Sequence, residues 1–194
     1  KFIALGKNND ISNLISDKTE VIDARGKLVL PGLIDSHLHF IEGGFRLSSV
    51  QLRNAKTPDE FKKRIKDFTK KDEKDEWITG GDWDHTNWGG ELPDKNWIDP
   101  FTKNIPVWIN RLDAHMALAN SAALRKAGIT KDTPDVEGGT IVRNRDGEPT
   151  GILKDNAMKL IENAKPEPSF AAKEKAVAAA EKYTSGLGIT SVHH

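Results

Sequence analysis

The chain has 194 residues, with 29 basic and 29 acidic side chains, so its formal net charge is zero. That balance argues against a nucleic-acid binder, which needs a clustered basic surplus. Cysteine is absent, which excludes a disulfide scaffold and thiolate metal sites. No apolar run approaches the ~20 residues of a membrane helix, and no signal-peptide pattern opens the chain. A soluble, cytoplasmic protein is expected, as one large domain or two small ones. Because Lys1 stands in what reads as mid-strand, further residues are expected upstream.

The first third reads as β. FIALG (2–6), EVIDARG (20–26) and KLVLPG (27–32) are short apolar runs punctuated by Gly, Pro and Asn-Asp turns. LIDSHLHF (33–40) continues them as a further strand. Thr57 and Glu60 form a capping box with Pro58 at the first helical position, opening a helix whose apolar face is Phe61, Ile65 and Phe68. EWITGGDW (76–83) predicts a strand running into a Gly-broken loop, and Gly89, Gly90, Pro93 and Pro100 predict loops and short helical turns over 84–104. PVWINRL (106–112) reads as a buried strand, followed by a short helix from Asn120 or Ser121 to before Gly128. Asp146-Gly147 predicts the turn of a hairpin over 140–153. Ala157, Leu160, Ile161 and Ala164 have helical spacing, and an Ala-rich helix follows from near Ser169 to near Gly186. GITSVHH (188–194) ends as an apolar strand, and no internal repeat is visible. The β-rich start and mixed remainder predict two structural units, with the boundary within 30–50.

The chemistry-bearing pattern is PGLIDSHLHF (31–40). In a strand, residues i and i+2 share a face. His37 and His39 are therefore expected side by side, with Leu38 and Phe40 on the other face. Two neutral imidazoles so placed suit one Zn²⁺, Fe²⁺ or Mn²⁺ ion at about 2.0–2.2 Å. Asp35, on the same face, suits an acceptor that orients one ring. A bare His-x-His also occurs as two ordinary residues of a strand end. An apolar strand after Pro-Gly, delivering both histidines at its C-terminal end before Gly43-Gly44, is how a barrel strand presents ligands at a catalytic rim.

On these residues the chain resembles the amidohydrolase superfamily, whose first barrel strand carries an HxH that supplies two ligands to a mono- or binuclear metal centre. GGDWDHTNWGG (80–90), RLDAHMALANSAALRKAGI (111–129), DTPDVEGGTIVRNRDGEPTGIL (132–153) and GITSVH (188–193) are similar, in that order, to segments of amidohydrolase family 3. That is the YtcJ-like group, which includes N-substituted formamide deformylases. The resemblance implies an α/β fold, mixed α+β in this chain. Residues 1–30 would be part of a flanking β-sandwich and 31–44 the first strand of a TIM barrel. Residues 45–150 would form an α/β insertion and 151–194 a return to barrel elements. A complete barrel takes about 250 residues, so an N-terminal, catalytically incomplete fragment is expected. The implied reaction is hydrolysis of a non-peptide, amide-type C–N bond by a metal-activated water. The implied cofactor is one or two divalent ions, zinc before iron or manganese. The remaining His ligands and a proton-shuttling Asp fall outside this chain, and no catalytic residue is assigned within it.

The resemblance adds Lys154, in GILKDNAM, as a metal ligand when carbamylated, because carbamylation turns an ammonium into an anionic oxygen donor. An exposed lysine at a helix start capped by Asp155 is the other reading. Trp83, His85 and Trp88, with Asp82 and Asp84, are expected to form a substrate-binding pocket wall or lid; the alternative is that the tryptophans fill a small core. Arg111, Asp113 and His115 alternate after PVWIN and are expected to contact a small-molecule substrate. A buried salt-bridge network is the rival, and by residue type alone His115 also suits a metal, although the family pattern favours the substrate side. His193 matches the family's usual GITSVHD, whereas His194 departs from it and reads as part of a purification tag. Two other function classes stay open: a non-catalytic small-molecule or carbohydrate-binding domain with a Trp-rich cleft, and a regulatory or interaction module on the same fold. No nucleic-acid or membrane partner is expected, and self-association through exposed strand edges is.

Overall fold

The computed structural model describes residues 3–70 and 77–194. Strand β1 (Leu33–Asp35) lies parallel to β8 (Ile189–Val192) in a two-stranded sheet. Everything between them is one long crossover. It leaves β1 through helix α2 (Phe40–Ser48) and returns to β8 through α7 (Phe170–Gly186), and these two helices pack on each other. A one-turn helix, α1 (Asn8–Ile11), precedes them.

Within the crossover sits a six-stranded mixed sheet. β2 (Val50–Gln51), β3 (Ile78–Trp83) and β4 (Val107–Arg111) are parallel. β5 (Met116–Ala119), β6 (Gly139–Arg143) and β7 (Pro149–Asp155) complete the order β2-β3-β4-β5-β7-β6 by antiparallel pairing. The central strands β4, β5 and β7 are buried on both faces, and their residues sort by the two-residue period. Val107, Ile109, Leu118 and Ile152 enter one core with Phe61 and Ile65 of α3 (Pro58–Thr69), and with Ile98 beside α4 (Asp99–Thr102). Trp108, Ala117, Ala119 and Leu153 enter the other, against α5 (Ser121–Lys126) and α6 (Lys159–Glu162). Each fully buried large aliphatic or aromatic side chain contributes about 1.5–3 kcal/mol. An exposed pair such as Lys63–Asp67 contributes about 0–1 kcal/mol, so the two cores hold the sheet.

Where local punctuation is strong, the elements form as the sequence predicts. Thr57 accepts the Glu60 N–H at 3.1 Å and Pro58 opens α3. Glu60 turns its carboxylate to the Lys56 N–H instead of back to Thr57, so the box is shifted by one residue. Ser169 caps α7, and Asp146-Gly147 lies in the β6–β7 turn. The helix expected after Asp155 forms only as a short 3₁₀ turn followed by α6. The Glu76 end of the strand expected over 76–83, and Phe2 of FIALG, lie outside the described residues.

The β-rich start is corrected. No strand forms over 3–32 among the described residues, and Ile3, Leu5, Val21, Ile22, Leu28 and Val29 are exposed. β-propensity is a fit to a half-buried, paired surface, and no described strand lies alongside this segment to supply that surface. The strand expected over 33–40 stops at Asp35. Sequence reading also missed β5, a four-residue strand in MALAN that follows directly on a turn.

Candidate functional site

β1 ends at Asp35 because its Oδ1 accepts the His37 N–H at 3.0 Å, a local turn that competes with the strand ladder. His37 and His39 therefore stand on the turn before α2, where strand alternation does not apply. They are nevertheless neighbours, with ring centroids 5.4 Å apart and planes at 82°. Two imidazoles bound to one tetrahedral ion at about 2.1 Å place their ring centres about 5 Å apart, so the spacing fits a shared ion. Both residues are exposed. Asp35 is committed to backbone and orients neither ring.

Strand β8 fixes this turn from the side. The His193 N–H donates to the Asp35 carbonyl at 2.9 Å, and the His193 carbonyl accepts the Leu38 N–H at 3.1 Å. His194 Nδ1 accepts the Phe40 N–H at 3.2 Å, satisfying one of the free donors of the first turn of α2. Among the described residues no group of three or more His, Asp or Glu side chains is placed to hold a metal. Among the described residues the histidine pair thus has no third carboxylate or imidazole placed with it to complete a metal site.

A second polar set lies along one edge of the six-stranded sheet. Parallel β3 and β4 end there, β7 ends there and antiparallel β5 begins there. This collects Asp82–His85, Asn110–Asp113, His115 and Lys154–Asp155, residues far apart in sequence. The backbone is strained at the same edge. Asp82, Ala114 and Asp155 have φ of 54°, 61° and 49°, conformations that cost of order 1–3 kcal/mol each and concentrate at functional sites. Asp82 is the extra residue of a bulge between the Gly81–Asn110 and Trp83–Arg111 pairs. Bulges re-aim side chains. Here Asp82 turns outward to accept from Asn110 Nδ2 at 2.9 Å, and Trp83 turns inward.

Arg111 is the centre of this edge. Its Nε donates to His85 Nδ1 at 3.1 Å, one terminal nitrogen to Asp84 at 3.0 Å and the other to Asp113. Asp113 Oδ1 accepts the His115 N–H at 3.1 Å, and His115 Nδ1 faces Asp155 Oδ1 at 3.0 Å. Burial, then the Arg111 charge, holds His85 below the ordinary imidazole range. Burial pushes Asp84 up, but the Thr86 amide and side chain and the Arg111 guanidinium overcome it and lower its pKa. Asp113 is lowered in the same way, burial being outweighed by the His115 amide and Arg111.

The expected residues divide accordingly. His85, Arg111, Asp113 and His115 come together, although Asp113 and His115 lie on the β4–β5 turn and not on an alternating strand. Trp83 is no pocket wall: it is fully buried and its Nε1–H bonds the Ile109 carbonyl at 3.0 Å. Trp88 packs on the same core with its ring centroid 5.6 Å from that of Phe61. Lys154 sits on β7 in register with Met116 and Thr140, in a different sheet from His37 and His39. Asp155 caps no helix and engages His115. Sequence reading named no role for Asn110 or Arg46. Arg46 lines a cavity of about 250 Å³ with His39 and Gln51 and reaches Asp82 at 3.6 Å, so α2 links the histidine turn to the polar edge.

A model described as "Amidohydrolase family" matches residues 20–194. The chain is 43% identical over 192 residues to Protein LONG AFTER FAR-RED 3 of Arabidopsis thaliana, covering 99% of this chain and 33% of that one. It is 30% identical over 163 residues to an N-substituted formamide deformylase of Arthrobacter pascens, covering 82% and 30%. A crystal structure of an uncharacterized metal-dependent hydrolase from Pyrococcus horikoshii superposes with a TM-score of 0.67 at 28% identity, covering 95% and 34%. The chain thus spans about a third of the length of the relatives it matches. No helix among the described residues is long and apolar enough to cross a membrane. With nearly every residue aligned and the two ligand-competent histidines on one turn, the chain belongs to the amidohydrolase family.

Proposed function

We propose that this chain supplies the first two metal ligands and part of the substrate-facing wall of a metal-dependent amidohydrolase that cleaves a non-peptide, amide-type C–N bond. The carrying observation is the 5.4 Å separation of the His37 and His39 rings on a turn fixed from both sides by β1 and β8. In this reading β1 and β8 are neighbouring strands of a TIM barrel, and the six-stranded sheet is an insertion beside its catalytic rim. The relative that is a formamide deformylase supports C–N chemistry, and the hydrolase from Pyrococcus horikoshii supports metal dependence.

A bound divalent ion, with zinc the first choice for imidazole ligands, would polarise the scissile carbonyl and lower the pKa of a water. His37 and His39 hold it through neutral ring nitrogens. Lys154 is the proposed further ligand only as a carbamate, and its place on the polar edge makes it a substrate-side cation otherwise. The Arg46–Asp82 ion pair, at 3.6 Å, connects the helix that follows the ligand turn to the sheet edge. The Trp-rich binding cleft loses support, because Trp83 is core.

Metal content of the protein that carries this chain tests the reading. His37→Ala and His39→Ala should each remove at least one equivalent of divalent ion and abolish amide hydrolysis. A wild-type protein that binds no divalent ion at saturating metal ends the proposal.

A further inference from the structure

Every nitrogen of Arg111 is engaged within the protein: Nε by His85, the terminal pair by Asp84 and Asp113. The sequence suggests a substrate-binding arginine, but this guanidinium is part of the scaffold, with only 17% of its side chain exposed. The consequence falls on His85. A guanidinium only donates, so the His85 Nδ1 it contacts is an acceptor and carries no proton. The ring is neutral and its one proton is on Nε2. No hydrogen bond within the described residues takes up that proton, and Nε2 is not closed off, since among the described residues the buried side-chain nitrogen without a partner is a terminal nitrogen of Arg143.

We propose that His85 is a specificity-determining residue whose Nε2–H donates to an uncharged carbonyl oxygen of the substrate, with Arg111 as the positioning residue that holds this tautomer. The proposal rests on the reading of the chain as part of an amidohydrolase site. A substrate carboxylate is disfavoured here. The charges that act on His85 are the Asp84 and Asp113 carboxylates and the Arg111 and Lys154 cations, two of each, with Arg111 bonded to both carboxylates. No net positive charge is therefore left beside His85 to draw an anion, and the ring itself is neutral. An N-acyl or N-formyl group brings the single neutral acceptor that one N–H donor satisfies. A charged acceptor would give up its hydration for a single neutral donor and would meet the Asp84 and Asp113 carboxylates.

Side-chain ¹H–¹⁵N correlation spectra of the ¹⁵N-labelled protein read the histidine tautomer directly, with His85→Asn identifying the signals. His85 should be the neutral Nε2–H form at neutral pH, and Arg111→Gln should convert it to a mixture of tautomers. Titration with formamide should shift the His85 Nε2 and its proton, while formate at equal concentration leaves them in place. An Nδ1–H or imidazolium His85 in the wild type overturns the proposal, as does a formate response equal to or above that of formamide. So does the absence of any formamide response. None of these readouts needs bound metal or turnover. A protein without metal but with the expected formamide shift refutes the hydrolase reading and keeps this one; a metal-loaded protein without the shift does the reverse.

Discussion

Gly44 on α2 meets Ala176 on α7 so closely that a Cβ at position 44 would lie 2.0 Å from the Ala176 carbonyl oxygen. Backbone at that distance leaves no room for a methyl group, so the helices must separate to accept one. α2 starts one residue after His39 and α7 leads into β8, so this crossing sets the histidine turn against its supporting strand. Gly44→Ala gains up to about 1 kcal/mol of helix propensity. Overpacking costs about 1–3 kcal/mol, so the net effect is destabilising. Thermal unfolding checks this, with Gly43→Ala as control, because a Cβ there meets nothing within 4 Å. The control should hold or raise Tm; an unchanged Tm in Gly44→Ala would show that the crossing has slack.

Asn120 is fully buried and uses all of its hydrogen-bonding capacity. Its Oδ1 accepts the Val107 and Ala123 N–H groups, and its Nδ2 donates to Thr102 Oγ1 and the Ile105 carbonyl, all at 2.9 Å. One side chain thus caps α5, continues β4 and ties in α4. Asn120→Ala leaves buried partners unsatisfied as well as removing the cap, and is expected to cost about 3–5 kcal/mol. Asn120→Ser keeps a capping oxygen and should cost roughly half of that. Urea denaturation of both variants gives the comparison. Equal losses would mean that the capping oxygen retained by Ser contributes nothing.

What the sequence disclosed depended on how local the signal was. Thr57-Pro58, Asp146-Gly147 and Ser169 each act within one turn, and each stands where it was expected. The apolar runs before residue 33 carry strand composition, but a strand exists only with a neighbour, and composition does not say whether one is present. The His-x-His spacing predicted proximity for the wrong reason: the strand ends at Asp35, and the turn brings the rings together. Trp83 was misplaced because it was read with its polar neighbours, whereas the bulge at Asp82 turns that carboxylate outward and the indole inward. The contact between His85 and Arg111 spans 26 positions and exists only because β3 pairs with β4. No local pattern announces it. The nearest available signal was that both residues end strand-like runs.

If Trp83 is core, its replacement should act on stability and not on ligand recognition. Trp83→Phe retains most of the apolar area against Phe61, whose ring centroid is 6.4 Å away, but strands the Ile109 carbonyl that Nε1 now satisfies. A loss of about 1–3 kcal/mol is expected from that unpaired acceptor and the missing volume. Once folded, the variant should bind substrates with unchanged KM. A large rise in KM at normal stability would return Trp83 to the pocket wall.

Acid should weaken the fold in two stages, and both begin at the Arg111 cluster. His85 has its folded-state pKa depressed by burial and then by Arg111, with Lys154 acting the same way and Asp84 and Asp113 opposing. Below an unfolded value of about 6.5, the unfolded chain takes up a proton that the folded chain refuses. Asp84 and Asp113 are likewise depressed, against their burial, by the Thr86 and His115 amides and by Arg111. For all three groups the folded value lies below the unfolded one. Their contribution is therefore complete above the unfolded value and is lost as pH falls toward and through the folded value. Unfolding free energy from urea titrations should be level above about pH 7, decline first below about 6.5, and fall more steeply below about 4. His85→Asn should remove the His85 share of the first decline and leave the second. If the variant follows the wild type between about pH 5 and 7, the neutral, Arg111-held state of His85 is wrong.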